Sequence, residues 1–233
     1  MTKPRLSVVC TPIGNLGDLS DRVRDTLSEA AGWIVEDTRV SGKLASHLGL
    51  KKPMKVLNDH TSPAAVEQLL AWVESTGHVA VLTDGGAPTV SDPGTTIVDL
   101  AHDAGIPVDV IPGPSAVIAA LAVSGFFGQR FTFLGFPPRK AGDVRNLFGP
   151  FADSTQSIIF FESPFRVLAT MKVLAEVFPG RRYAICRELT KLYEQVYRGA
   201  FPDLPTEGEV PMKGEFTIVI EGKRAAKERA ISS

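Results

Sequence analysis

Between residues 5 and 123, short apolar runs alternate with helix-length segments five times over, and that alternation constrains the fold more than any other feature. Strands are expected at 5–10, 33–36, 54–58, 79–84 and 108–112, and helices near 20–31, 40–48, 63–75, 95–104 and 115–123. Such a repeat folds as a mostly parallel sheet covered by helices on both faces, so its strands read as continuous apolar runs. The second half has another rhythm. Strands are expected at 131–135, 157–162, 182–188, 193–199 and 214–221, with helices near 143–150 and 164–177. Consecutive late strands imply a mixed sheet with an antiparallel hairpin. Residues 124–129 (SGFFGQ) break the pattern and are a candidate hinge. The reading is two α/β domains, 1–123 and 124–222, then a flexible polar tail at 223–233.

A chain of 233 residues has room for both domains. No apolar run approaches the roughly 20 residues needed to span a bilayer, and the N-terminus passes into a strand without a signal-peptide core. Cys10 and Cys186 lie far apart with no CxxC, which argues against a disulfide scaffold and a structural zinc. A cytosolic protein without metal or membrane partner is expected. Net charge is only −1, but it is unevenly spread: residues 1–116 carry 9 Lys/Arg against 14 Asp/Glu, and residues 117–233 carry 16 against 12. Pairs such as Arg139–Lys140, Arg181–Arg182 and Lys223–Arg224 have the charge to meet phosphates, although scattered surface charge accounts for them equally.

Chemistry concentrates at strand ends. Residues 79–94 (VAVLTDGGAPTVSDPG) read as a buried strand followed by a loop of glycines and prolines, whose backbone a ligand can approach closely. Residues 108–116 (VDVIPGPSA) repeat the arrangement, with Ser115 a candidate helix cap. In open α/β sheets that carboxyl edge is where ligands bind; tight turns alone are the alternative. The glycine spacings of dinucleotide-binding and P-loop folds are missing, as are GxSxG and HExxH.

Glu36, Asp37 and Arg39 follow the second strand. A carboxylate there can accept a proton and Arg39 can grip a phosphate, unless Asp37 and Arg39 merely pair at a helix start. His60 follows the third strand and is the most natural proton acceptor there, unless it is an ordinary surface histidine. Phe160, Phe161 and Glu162 end another, with aromatics suited to flanking a flat ring or to packing a core. Arg187, Glu188 and Lys191 join two strands, as a functional cluster or as a salt-bridged hairpin.

Taken in order, TPIGNLGD (11–18), EDTR (36–39), 84–94 with its SDPG (91–94), PGPSA (112–116), GF (135–136), PRK (138–140), ESP (162–164), RELTK (187–191) and KGE (213–215) carry a resemblance over about residues 6–222. The chain resembles the tetrapyrrole methylase superfamily of S-adenosylmethionine-dependent methyltransferases, and within it the ribosomal RNA small subunit methyltransferase I family. The resemblance implies the two-domain tetrapyrrole methylase fold with the cofactor in the interdomain cleft, and a homodimer. It implies 2′-O-methylation of a cytidine, C1402, in the decoding region of 16S ribosomal RNA.

For S-adenosylmethionine the resemblance implies Pro12 from the first loop, and Asp84, Gly85, Gly86, Ala87, Pro88, Ser91 and Asp92 from the fourth. It adds Ser115 and Ala116, then Phe161, Glu162, Gly214 and Glu215. RNA contacts fall to Arg139, Lys140 and Arg187. The base that takes the 2′-hydroxyl proton is one of Glu36, Asp37, His60 and Lys191, with Arg39 holding phosphate or ribose. Two departures stand out: Ala87 lacks the hydroxyl of the family's DAGTP, and residues 57–61 (LNDHT) lack the aromatic of its YHEHN-like stretch. A tetrapyrrole C-methyltransferase and a catalytically inert RNA-binding assembly factor are the competing readings.

Overall fold

All five expected strands of the first half form, and they run parallel in a computed structural model that describes residues 3–224. They are β1 (Arg5–Val9), β2 (Gly32–Val35), β3 (Met54–Val56), β4 (His78–Leu82) and β5 (Val108–Ile111), in the spatial order β3-β2-β4-β1-β5. Adjacent residues on one strand point to opposite faces. Trp33, Val35, Ala80 and Leu82 therefore pack with Val23 and Leu27 of α1 (Asp21–Glu29) and Leu44 of α2 (Thr38–Leu48). Ile34, Val79 and Val81 pack on the other face with Val66, Leu69 and Val73 of α3 (Pro63–Thr76) and Ile97 of α4 (Thr95–Asp103).

The caps explain where these helices start. Ser20 accepts from the Val23 amide at 3.2 Å, and Ser62 accepts from Ala65 with Pro63 in the first turn. Asp37 caps α2, which therefore begins at Thr38, two residues earlier than the apolar period suggests. Gly94, at φ 130°, precedes α4 where a Cβ would be strained.

The second unit starts at Ala116 and carries a mixed sheet, β6 (Phe131–Phe133), β7 (Ser157–Glu162), β10 (Phe216–Ile220), β8 (Arg182–Arg187) and β9 (Gln195–Ala200), in that spatial order. β6 and β7 pair in parallel; the other neighbours are antiparallel, and β8 with β9 is the expected hairpin. One face holds α6 (Ala141–Phe148) and α7 (Val167–Val177), whose Phe148, Met171 and Leu174 join Phe160, Tyr183, Ile185 and Ile218 in a closed core. Burying a side chain such as Phe160 completely contributes about 1.5–3 kcal/mol.

Helix α5 (Ala116–Ser124) packs on β8 and β10 of this sheet, with the Cys186 thiol 3.9 Å from the Ala120 carbonyl. The division between units thus precedes α5 rather than following it at 123/124. Nor is 124–129 built as a hinge. Ser124 Oγ donates to the Leu121 carbonyl and accepts from the Phe126 amide, and the buried Phe126 ring lies under the guanidiniums of Arg182 and Arg198. Of the expected tail, Lys223 pairs with Asp153 and Arg224 with Glu221, while 225–233 lie outside the described residues.

Candidate active site

In the first unit, the loops after β1 and β4 are zipped together at the carboxyl edge of the sheet. Thr11 N donates to the Gly86 carbonyl at 2.9 Å, and Gly86 N returns the bond to Thr11 at 3.0 Å. Gly85 lies so close that a Cβ there would sit 3.1 Å from the Pro12 carbonyl oxygen. Past Ala87 and Pro88 the loop is strained: Thr89 and Ser91 hold φ of 74° and 62°, in the left-handed region that non-glycine residues avoid. Such strain persists only where surrounding structure enforces it, and it gathers at functional sites.

Three carboxyl groups converge beside this loop. Glu36 Oε2 accepts from the Asp84 amide at 3.3 Å, and Asp92 Oδ2 accepts from Thr83 Oγ1 at 3.2 Å. Burial, and then the Glu36 charge, push the Asp92 carboxyl up to about 6. Asp84 is raised by partial desolvation and then by Glu36 and Asp37. Among the described residues, no group of His, Cys, Asp and Glu has the arrangement of a metal site.

Asp37 stands apart. Its carboxylate takes the Arg39 amide at 2.7 Å and the guanidinium at 2.5–3.0 Å, and these bonds hold it down at about 2. A carboxylate so stabilised is a poor proton acceptor, so Asp37 serves as cap and Arg39 partner, leaving Glu36 as the base candidate of that motif. His60 is exposed on a turn closed by its amide on Asn58 Oδ1. Ser115 closes the first unit and Ala116 opens α5.

The motif residues of the second unit are mostly engaged within it. Glu162 has no exposed side-chain surface; it accepts from the Ser163 amide at 2.8 Å and Thr170 Oγ1 at 2.6 Å, and pairs with Arg166 at 3.2 Å. Its side chain is fully engaged within the unit. Arg166 in turn donates to the carbonyls of Pro137 and Pro138 at 2.7 and 2.8 Å, so the buried carboxylate fixes the segment that carries Phe136, Arg139 and Lys140. Phe161 is half-buried, with the rings of Phe133 and Phe136 at 4.9 and 5.4 Å.

The loop 187–191 is strained like 89–91, with Glu188 at φ 50° and Thr190 at 67°. Arg187 is buried, donating to the carbonyls of Lys213 and Tyr193, so it braces this loop. Lys191 lies between Glu188 at 3.1 Å and Glu215 at 2.9 Å; against the effect of burial, these bonds raise its pKa. It is a fixed cation, unsuited to accept a proton. Gly214, at φ 89°, leaves the room that the Glu188 carboxyl occupies, and Glu215 N donates to that carboxyl at 2.9 Å.

Of the basic pairs, Arg181 is buried on the carbonyls of Ala152, Ser154 and Glu221, and Arg182 pairs with Glu221. Arg139 and Lys140 are exposed side by side before α6.

Two residues escape a reading of the sequence. Arg166 shows no signal beyond its spacing of four from Glu162. Ser41 lies on the buried face of α2, one turn before Ala45, and among the described residues its Oγ has no hydrogen-bond partner. A small polar residue on an apolar helix face was the available clue.

Three comparisons bear on this geometry. The family model for tetrapyrrole (corrin/porphyrin) methylases matches residues 5–205. The chain is similar to the ribosomal RNA small subunit methyltransferase I of Xylella fastidiosa (strain Temecula1), 40% identical over 95% of this chain and 82% of that protein. The enzyme so named from Thermotoga maritima is 38% identical, over 94% of this chain and 99% of its own. Among solved structures, the uroporphyrin-III C-methyltransferase from Thermus thermophilus, complexed with S-adenyl homocysteine, superposes with a TM-score of 0.65. It is 19% identical over 93% of this chain and 97% of that one, a likeness of fold alone.

Proposed function

The chain belongs to the ribosomal RNA small subunit methyltransferase I family of tetrapyrrole methylases, and from that premise we propose that it methylates the ribose 2′-oxygen of cytidine C1402 in 16S ribosomal RNA. The observation that carries the cofactor side of this reading is the acidic cluster of Glu36, Asp84 and Asp92 against a glycine loop. Burial and then the Glu36 charge raise Asp84 and Asp92, and a cationic ligand relieves both. S-adenosylmethionine supplies a methyl carbon on a positively charged sulfur, and carries an ammonium as well.

Pro12 and the main chain of 85–88 hold the cofactor by close approach, with Asp84, Ser91 and Asp92 at its polar groups. Ala87 brings no hydroxyl, so its contribution is main-chain only. Glu36 takes the proton of the attacking hydroxyl, since Asp37 and Lys191 are committed to ion pairs and His60 lies out on a turn. Holding the two reactants in attack geometry supplies much of the acceleration.

Arg139 and Lys140 contact phosphate, and the 2′-hydroxyl itself distinguishes RNA from DNA. Exposed apolar side chains on and after α5, Ile118, Val123 and Phe127, support association into a homodimer. Light scattering should then give twice the mass of one chain. Among the described residues no helix is long and apolar enough to cross a membrane, and a ribosomal substrate supports a cytoplasmic location.

The test is transfer of label from methyl-labelled S-adenosylmethionine to small subunits that lack native methylation, followed by alkaline digestion. Label in alkali-stable dinucleotides establishes ribose methylation. Label in mononucleotides would place the methyl on a base instead.

A further inference from the structure

A cavity of about 230 Å³ opens at the carboxyl edge of the first sheet, between the loop after β1, helix α2 and the end of β4. Its walls are apolar: Pro12, Leu16, Val40 and Leu44. Thr11, Ser41, Lys43, Thr83 and Asp84 complete the lining, and of these Ser41 from α2 and Asp84 from the loop after β4 offer a hydroxyl and a carboxyl to a ligand. Ser41 is only 3% exposed, and among the described residues its hydroxyl has no hydrogen-bond partner. A buried hydroxyl left unpaired costs stability that a ligand's hydrogen bond restores. The other hydroxyls here are engaged: Thr11 Oγ1 donates to the Thr83 carbonyl at 3.3 Å, and Thr83 Oγ1 donates to Asp92.

The size is equally informative. Sites that take a drug-sized ligand whole measure roughly 300–1,000 Å³. This cavity has room for one ring, not for an entire S-adenosylmethionine. Apolar walls suit the faces of a flat heterocycle, and a hydroxyl with a carboxylate suits in-plane polar groups of both kinds. Lys43, exposed at the rim, adds a cation where such a ring would join its phosphate. RNA bases are read in this way when splayed out of their stack.

Resting on the function proposed above, we infer that this cavity receives the pyrimidine base of the acceptor nucleotide, with Ser41 and Asp84 reading its edge. Cytosine satisfies both groups. Its exocyclic amine donates to the Asp84 carboxylate, and its carbonyl or ring nitrogen accepts from Ser41 Oγ. Uracil presents an oxygen where the amine stood and so opposes an oxygen to the carboxylate. Asp84 is itself one of the three carboxyl groups of the acidic cluster, so the residue that reads the base also adjoins the cofactor's polar groups and Glu36.

The experiment compares wild type, Ser41→Ala and Ser41→Leu, using labelled cofactor, unmethylated small subunits, and separate measurements of cofactor affinity and thermal stability. Ser41→Ala should lower kcat/KM for the RNA about tenfold, and Ser41→Leu, which fills the cavity, more than a hundredfold. Cofactor affinity should be unchanged in both. Loss of cofactor affinity in Ser41→Leu would make the cavity a cofactor subsite, and unchanged transfer would make it inert; either result overturns the inference. Should wild type transfer nothing to subunits, the functional reading fails separately. Cytidine monophosphate then probes the cavity: saturable binding that Ser41→Leu abolishes upholds the base site, and absence of binding by wild type refutes it.

Discussion

Asp92 lies where a negative charge is least welcome in the first unit, desolvated and facing Glu36, with a carboxyl raised to about 6 from 3.8. Between pH 4 and 6 the folded chain keeps a proton there that the unfolded chain has released. Stability therefore falls as pH rises through that window, the reverse of a salt-bridged acid. Asp92→Asn keeps an oxygen for Thr83 and removes the charge. It should stabilise the protein by about 1–3 kcal/mol at pH 7.5 and hardly at all at pH 4. Melting curves at the two pH values check this; an equal shift at both would show that the charge is not the cause. The same variant should bind S-adenosylmethionine more weakly, because a destabilising charge is kept where a cation has to be held. Glu36→Gln extends the argument. Glu36 is the charge that raises Asp92 most, so its removal should lower the Asp92 pKa in an NMR titration, while methyl transfer is lost through the missing base. A carboxyl that titrates as before would separate the two residues.

At the scale of elements, the strand-end loops were legible because glycine, proline and carboxylates punctuate apolar runs, and parallel strands need both faces buried. What was not legible is which charged residues face outward. Glu162 and Arg187 sit in motifs as conspicuous as EDTR, yet both are buried and saturated by their own unit. Sequence spacing gives position along a strand but not the partner across it, and Arg166 with Thr170 lies on the following turn and helix. The domain boundary was misplaced for a similar reason. Helix α5 is apolar on every side, so its pattern gives no sign of which sheet it covers. The Glu162–Arg166 pair makes a clear prediction. Arg166→Met leaves a buried carboxylate without its cation and should cost about 3–5 kcal/mol, read as a lower urea midpoint. Adding Glu162→Gln should recover part of that loss, since the amide no longer needs a cation. If the double variant were no more stable than the single one, lost packing rather than unpaired charge would be the cause.

For the molecule as a whole, net charge conceals an asymmetry, and several cations of the second half are bound up in bonds of the fold. Arg181, Arg182, Arg187, Lys191 and Lys223 are all held by carbonyls or carboxylates. An affinity for a polyanion then falls to cations left at the surface, Arg139 and Lys140 among them. Neutralising a phosphate on single-stranded RNA releases counterions, so the logarithm of affinity falls with the logarithm of salt by about 0.7 for each contact. Replacing Arg139 and Lys140 with Gln removes two contacts and should make the slope shallower by about 1.4. Binding of unmethylated small subunits, followed from low to moderate salt, measures that slope directly. Cofactor affinity should be unaffected, because these two residues stand on the segment that Arg166 fixes and not on the glycine loop. A slope that did not change would mean that the RNA is gripped elsewhere. The braced cations would then have to leave their partners on binding, and replacing Lys191 rather than Arg139 would flatten the salt dependence.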